Sequence, residues 1–209
     1  MRLSQTKFFL QTIDSALCGR ITVVVLCGWL TCAAFAATLA WYCPLIIRGK
    51  VKPILATWLI GAVTLDLSSG AYLATGGRVL DNIALFAGAI EISAIFGTLV
   101  VRLWLKGELK VALDPLQRKI LSAAGVMILV WGVSIMFGVG LYGAEATFWT
   151  MQSLMFIAYV PSVAKAWRLQ KAFDSIGNWS CIFAACIVGF VPAIASGNPR
   201  ALFNSWRGL

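Results

Sequence analysis

A chain of 209 residues that is 60% hydrophobic and only 12% charged, with mean hydropathy +0.88 and formal net charge +9, does not have the composition of a soluble domain. Soluble domains carry about 25% charged and roughly 45–50% apolar residues, and a chain this apolar has no polar coat to keep it dispersed in water. The positive balance does not point to nucleic acid either. The Lys and Arg residues sit in short segments between long apolar runs, where they act as orientation signals for a membrane protein.

The spans follow from the length of each apolar run, since a helix needs about 20 apolar residues to cross the hydrocarbon core. The first run is Ile21 to Cys43, closed by Pro44 and the basic residues Arg48, Lys50 and Lys52. Positive residues followed by an apolar, Ala-rich stretch also fit a signal peptide. The run continues through Trp41, Tyr42 and Cys43 into more positive charge, so a retained span is expected. The second span is Ile54 to Thr75, starting just after Pro53, and a polar turn with Arg78, Asp81 and Asn82 leads to the third, Ile83 to Leu105. A charged segment from Lys106 to Lys119 precedes the fourth, Ile120 to Tyr142. A tight link through Gly143 and Glu145 is expected before the fifth, Ala146 to Trp167, and a basic loop precedes the sixth, Trp179 to Ser196. The runs are continuous rather than alternating and too long for barrel strands, which span about 9–11 residues. The expected fold is an all-α polytopic membrane protein of about six transmembrane helices, with five to seven as the range.

Eleven Lys and Arg residues fall on one side of these spans (Arg48, Lys50, Lys52, Arg102, Lys106, Lys110, Arg118, Lys119, Lys165, Arg168, Lys171) and six on the other. The richer side is expected to be cytoplasmic, with both termini outward. Trp104, Trp149, Trp167 and Trp179 fall near span ends, where the ring suits the headgroup layer.

One pattern occurs twice. Tyr42-Cys43-Pro44 is followed by Arg48, Lys50 and Lys52, then Trp58; Tyr159-Val160-Pro161 is followed by Lys165, Arg168 and Lys171, then Trp179. Both copies run in the same direction, so the repeat of helical hairpins is parallel, as in many transporters. This Tyr-x-Pro element, the basic hairpin and the stretch Lys171-Ala172-Phe173-Asp174-Ser175 before Trp179 resemble the PQ-loop membrane proteins, the superfamily of SWEET, SemiSWEET and cystinosin-like carriers. The naming Gln is absent, since Leu45 follows Pro44 and Ser162 follows Pro161. The resemblance implies one membrane domain over 1–209, with a first three-helix bundle over 21–105, a linker helix over 120–142 and an incomplete second bundle over 146–197. It also implies a seventh helix that is missing or reduced to Asn198–Leu209.

Polar groups at membrane depth mark candidate sites, because charge there is costly and functional by default. At about 1.5 Å per residue, Asp66 lies roughly 18 Å and Glu91 roughly 20 Å above the cytoplasmic end of their spans, and Gln152 is at a similar level. Two carboxylates close together in low dielectric resist joint ionisation, which suits proton coupling or a cationic solute. The substrate or proton candidates are Asp66, Glu91, Gln152 and Tyr159, and the hinge candidates are Pro44 and Pro161. Gly61, Gly88, Gly97, Gly125 and Gly132 are expected to allow close helix approach.

Enzyme chemistry has no support. The chain has no His, no HExxH, no GxxxxGK[ST] and no GxSxG, so Ser or Cys nucleophiles lack their usual imidazole base. The six cysteines lie in or beside apolar runs without CxxC spacing and read as small packing residues. No cofactor and no metal is expected. The expected partners are membrane lipids, a small-molecule solute and either a homo-oligomer or a membrane-complex subunit. The expected function is a small-molecule transporter of PQ-loop type, proton-coupled or carrying a neutral or cationic solute; the alternative is a non-catalytic structural or assembly subunit of a membrane complex.

Overall fold

The computed structural model describes residues 2–51, 53–110, 113–169 and 176–207, with side chains over 21–51, 53–110, 113–158 and 180–206. Among the described residues the regular structure is entirely helical. The elements are α1 (Arg2–Ile47), α2 (Leu55–Ala74), a short 3-10 turn (Val79–Asn82), α3 (Ile83–Leu105), α4 (Pro115–Met136), α5 (Gly140–Leu169), α6 (Ile176–Ser196) and α7 (Pro199–Arg207).

Three segments are long and apolar enough to cross a bilayer: Ile21–Ile47, Val79–Leu105 and Pro115–Met136, whose apolar 18-residue stretches have mean hydropathy 2.1, 2.0 and 1.9. The chain is therefore a helical membrane protein. The other three expected spans form helices of 20, 30 and 21 residues that are less apolar or only partly described.

Helix boundaries follow local chemistry. The third span starts and stops where the sequence places it, between Asn82 and Lys106. The fourth begins earlier than expected, because Asp114 and Gln117 form a capping box with Pro115 at the first helical position. It also ends earlier. Gly138 adopts φ +72°, a conformation that costs glycine nothing, and Val139 N–H donates to the Ser134 carbonyl at 2.9 Å. The link between the fourth and fifth spans is thus Phe137–Val139, not the expected Gly143 and Glu145, which lie inside α5.

In packing order the helices run α6, α1, α3, α2, α5, α4. α3 stands between α1 and α2, α6 packs on α1, and α5 packs on α2. The two hairpins therefore pair crosswise. Among the described residues α5 and α6 share no packed face. The main core lies between α1, α2, α3 and α5, around Tyr42, Trp58, Leu65, Tyr72, Ile95 and Phe148. A smaller one joins Phe35 of α1, Ala84 of α3 and Ala185 of α6.

Close helix approach is set by glycines other than most of those expected. A Cβ on Gly61 would meet Ile92 at 3.2 Å and one on Gly88 would meet Phe35 at 3.6 Å, whereas Gly97, Gly125 and Gly132 have nothing within 4 Å. The tight crossings are at Gly189, where a Cβ would meet that of Ala84 at 2.9 Å, and at Gly143, where it would meet the Ser134 hydroxyl and the Trp131 backbone.

Candidate functional site

The site is built from the inner faces of α2, α3 and α5. Tyr72 of α2 anchors it, with ring centroids 6.0 Å from Phe86 of α3 and 5.9 Å from Phe148 of α5. α5 runs antiparallel to α2, so Gln152, four residues past Phe148, comes level with Ser68, four residues before Tyr72. Ser68 and Gln152 are 0% exposed, and Ser69 is buried beside them. The Ser68 and Ser69 hydroxyls and both amide atoms of Gln152 lack a hydrogen-bond partner among the described residues.

Glu91 lies on α3, five residues past Phe86, and among the described residues α3 shares no packed face with α5. This glutamate shares the inward stripe of α3 with Gly88 and Ile95, is 1% exposed, and its Oε1 is also unpartnered. No Lys or Arg occurs on α2 or on α5 between Gly140 and Ala158.

Asp66 has a different environment. It is exposed, and Ser93 Oγ donates to its Oδ2 at 3.0 Å. Ser93 and Glu91 are two residues apart on α3, about 200° around the helix axis at 3.6 residues per turn. The two carboxyls share a depth, but the structure does not bring them into one cluster. Depth fixes only one coordinate of a helical residue, and azimuth separates these two.

The side chains of Tyr159 and Pro161 lie outside the described residues. Pro44 sits in the last turn of α1, where Arg48 N–H still reaches its carbonyl at 3.0 Å. The helix interior instead holds Pro192, a buried residue of α6 that leaves the Val188 carbonyl without its helical donor. The signal for it is a Pro inside the sixth apolar run, four residues before its end.

The end of the bundle away from the basic hairpins is closed by α7. Asn198 Nδ2 donates to the Tyr72 hydroxyl at 3.2 Å, Asn204 Nδ2 donates to Asn82 Oδ1 at 3.0 Å, and Arg200 pairs with Glu145 at 3.0 Å. Trp149, expected at the headgroup layer, is packed edge-on between Phe148 at 5.4 Å and Phe203 of α7 at 5.2 Å. In the nearby α2–α3 turn, the Asp81 hydrogen bond and charge push the Arg78 guanidinium pKa up.

Among the described residues no three His, Cys, Asp or Glu side chains stand close enough to hold a metal ion. α2 and α5 offer a buried amide and two buried hydroxyls, and α3 carries one buried carboxyl. Such groups can bond a small polar molecule or exchange a proton. No family model, curated protein or solved structure matches the chain.

Proposed function

We propose that the chain is a small-molecule membrane transporter of the PQ-loop type. In this reading six helices cross the bilayer as two parallel copies of a hairpin, with the basic loops cytoplasmic and both termini outward. α4 is the linker between copies, and the solute binds in the layer of Ser68, Ser69, Gln152 and Glu91.

The observation that carries the reading is Gln152. An amide buried at mid-depth with both polar atoms unpartnered costs about 1–3 kcal/mol per group, and a fold keeps that cost where something else makes the bonds. The packing agrees with a duplication. Exchanging the hairpins α1–α2 and α5–α6 turns the α1–α6 pair into the α5–α2 pair, and both pairs are packed. In the first copy, Tyr42 of the Tyr-x-Pro element meets Trp58, with centroids 5.7 Å apart. Glu91 is the group for a proton or a cationic substituent, and Asp66, bonded to Ser93, is the control for it.

Purified protein in liposomes tests this. Saturable counterflow of at least one sugar, amino acid or nucleoside is expected, with or without a pH gradient. Gln152→Leu should reduce it about tenfold or more while leaving the protein monodisperse. Absence of uptake across such a panel defeats the proposal. Glu91→Gln should remove any response to the pH gradient, and an unchanged response would take Glu91 out of the mechanism.

A second reading, a non-catalytic subunit of a membrane complex, is favoured by one observation. α5 and α6 share no packed face among the described residues, and the nine-residue α7 does not fill the space as α3 does between α1 and α2. Stoichiometric co-purification in mild detergent, together with failure of the uptake assay, would select it.

A further inference from the structure

We infer that α7 is a displaceable cap, and that its polar contacts to three separate elements form the latch controlling access to the Ser68–Gln152 layer from that end of the bundle. The inference rests on the transporter reading only in calling that layer the solute site.

A helix of nine residues does not hold itself together in water or at an interface, where isolated helices shorter than about 12–15 residues are marginal. α7 is held from outside. Arg200 reaches Glu145 of α5, Asn204 reaches Asn82 in the turn before α3, and Asn198 reaches the Tyr72 hydroxyl of α2. Each contact ties α7 to a different element, so relative movement of α2, α3 and α5 strains all of them together.

The contacts are of a kind that can break. Glu145 is 43% exposed and Arg200 20% exposed in their ion pair, and pairs of that exposure contribute little individually. The joint on which α7 would turn is Gly197, with φ +62° and nothing within 4 Å of a Cβ there, so no neighbour blocks rotation.

Tyr72 links the cap to the layer. Its hydroxyl accepts from Asn198, the residue just before α7, while its ring packs against Phe148 one helical turn above Ser68 and Gln152. Holding α7 down therefore holds the aromatic pair closed over the unpartnered amide. Releasing α7 frees the Tyr72 hydroxyl and removes one of the bonds that hold that ring in place.

The test uses the full-length chain in nanodiscs, with the native cysteines replaced by alanine. A reporter cysteine is placed at Ser68→Cys or, as control, at Ala185→Cys, which is equally buried but lies in the core between α1, α3 and α6. Reaction with a membrane-impermeant methanethiosulfonate reagent is timed with the latch intact and in the triple variant Glu145→Gln, Asn198→Ala, Asn204→Ala. The expected result is an increase of about tenfold or more at Ser68→Cys with no change at Ala185→Cys, as local opening predicts. No change at Ser68→Cys, or an equal rise at both positions, overturns the cap. The reading does not need transport. Faster labelling in a protein that carries no solute would leave the cap standing and sink the transporter proposal, whereas solute uptake with unchanged labelling would do the reverse.

Discussion

α3 and α4 are nearly indistinguishable by apolarity and occupy opposite situations. The apolar 18-residue stretches within Val79–Leu105 and Pro115–Met136 have mean hydropathy 2.0 and 1.9, yet 44% of the first stretch is buried and 11% of the second. α3 buries a stripe of Ala84, Leu85, Gly88, Ala89, Glu91, Ile92, Ile95 and Leu99, whereas α4 buries only Ile120 and Ala124. Lipid is as good a solvent for Leu as another helix is, so hydropathy identifies the solvent and not the neighbour. What separates the two helices is the placement of small and polar residues. The ends differ in the same sense. α4 caps itself, with Asp114 Oδ1 accepting from Gln117 N–H at 2.7 Å, while the N-cap residue of α3, Asn82, gives its side chain to Asn204, 122 positions away. The peripheral helix is secured by local bonds and the central one by distant ones.

That contrast can be broken in graded steps. The largest effect should come from Ile95→Ala, which empties a fully buried position on α3 and should cost about 2–5 kcal/mol. Ile128→Ala on α4, where the side chain is 48% exposed, should stay within about 0.5 kcal/mol. Thermal unfolding in detergent measures both, and equal losses would mean that α4 is as embedded as α3. Next comes Gly189→Val, which forces α6 off Ala84 and should destabilise by about 1–3 kcal/mol. Gly132→Val on α4, with no neighbour within 4 Å, should leave the midpoint unmoved. The smallest pair concerns the caps. Asp114→Ala should cost about 1 kcal/mol and loosen only the start of α4, read as faster hydrogen exchange there. Asn82→Ala should cost about 1 kcal/mol as well, but the faster exchange should appear across α7. If the change is confined to the start of α3, the distant bond does not secure that end.

The residues explain which features were legible in the sequence. Ile83–Leu105 could be bounded correctly because polar residues flank it on both sides. The end of α4 could not, since Phe137-Gly138-Val139 continues the apolar run and the turn is a matter of backbone φ at one glycine. Gln152 stood out as an amide in an apolar run, and its burial agrees with that signal. Ser68 and Ser69 carry no such signal, because a serine in a membrane helix usually bonds its own backbone, as Ser153 does to the Trp149 carbonyl at 2.9 Å. The separation of Asp66 from Glu91 was beyond a count of residues from the span ends. It depends on which side of α3 each helix partner occupies, and that is fixed by crossings such as Gly88 against Phe35 and Leu65.

The contacts of α7 also impose an order on biosynthesis. Its bonds to Asn82 and Tyr72 join residues 122 and 126 positions apart. Contacts of such sequence separation form late, after the local ones. While a ribosome is still adding α5 and α6, the contacts among the earlier helices can already form, but those of α7 cannot. The nascent chain therefore passes through a stage in which Asn82 and Tyr72 lack these partners. Those bonds wait for residues 198–204 to leave the exit tunnel.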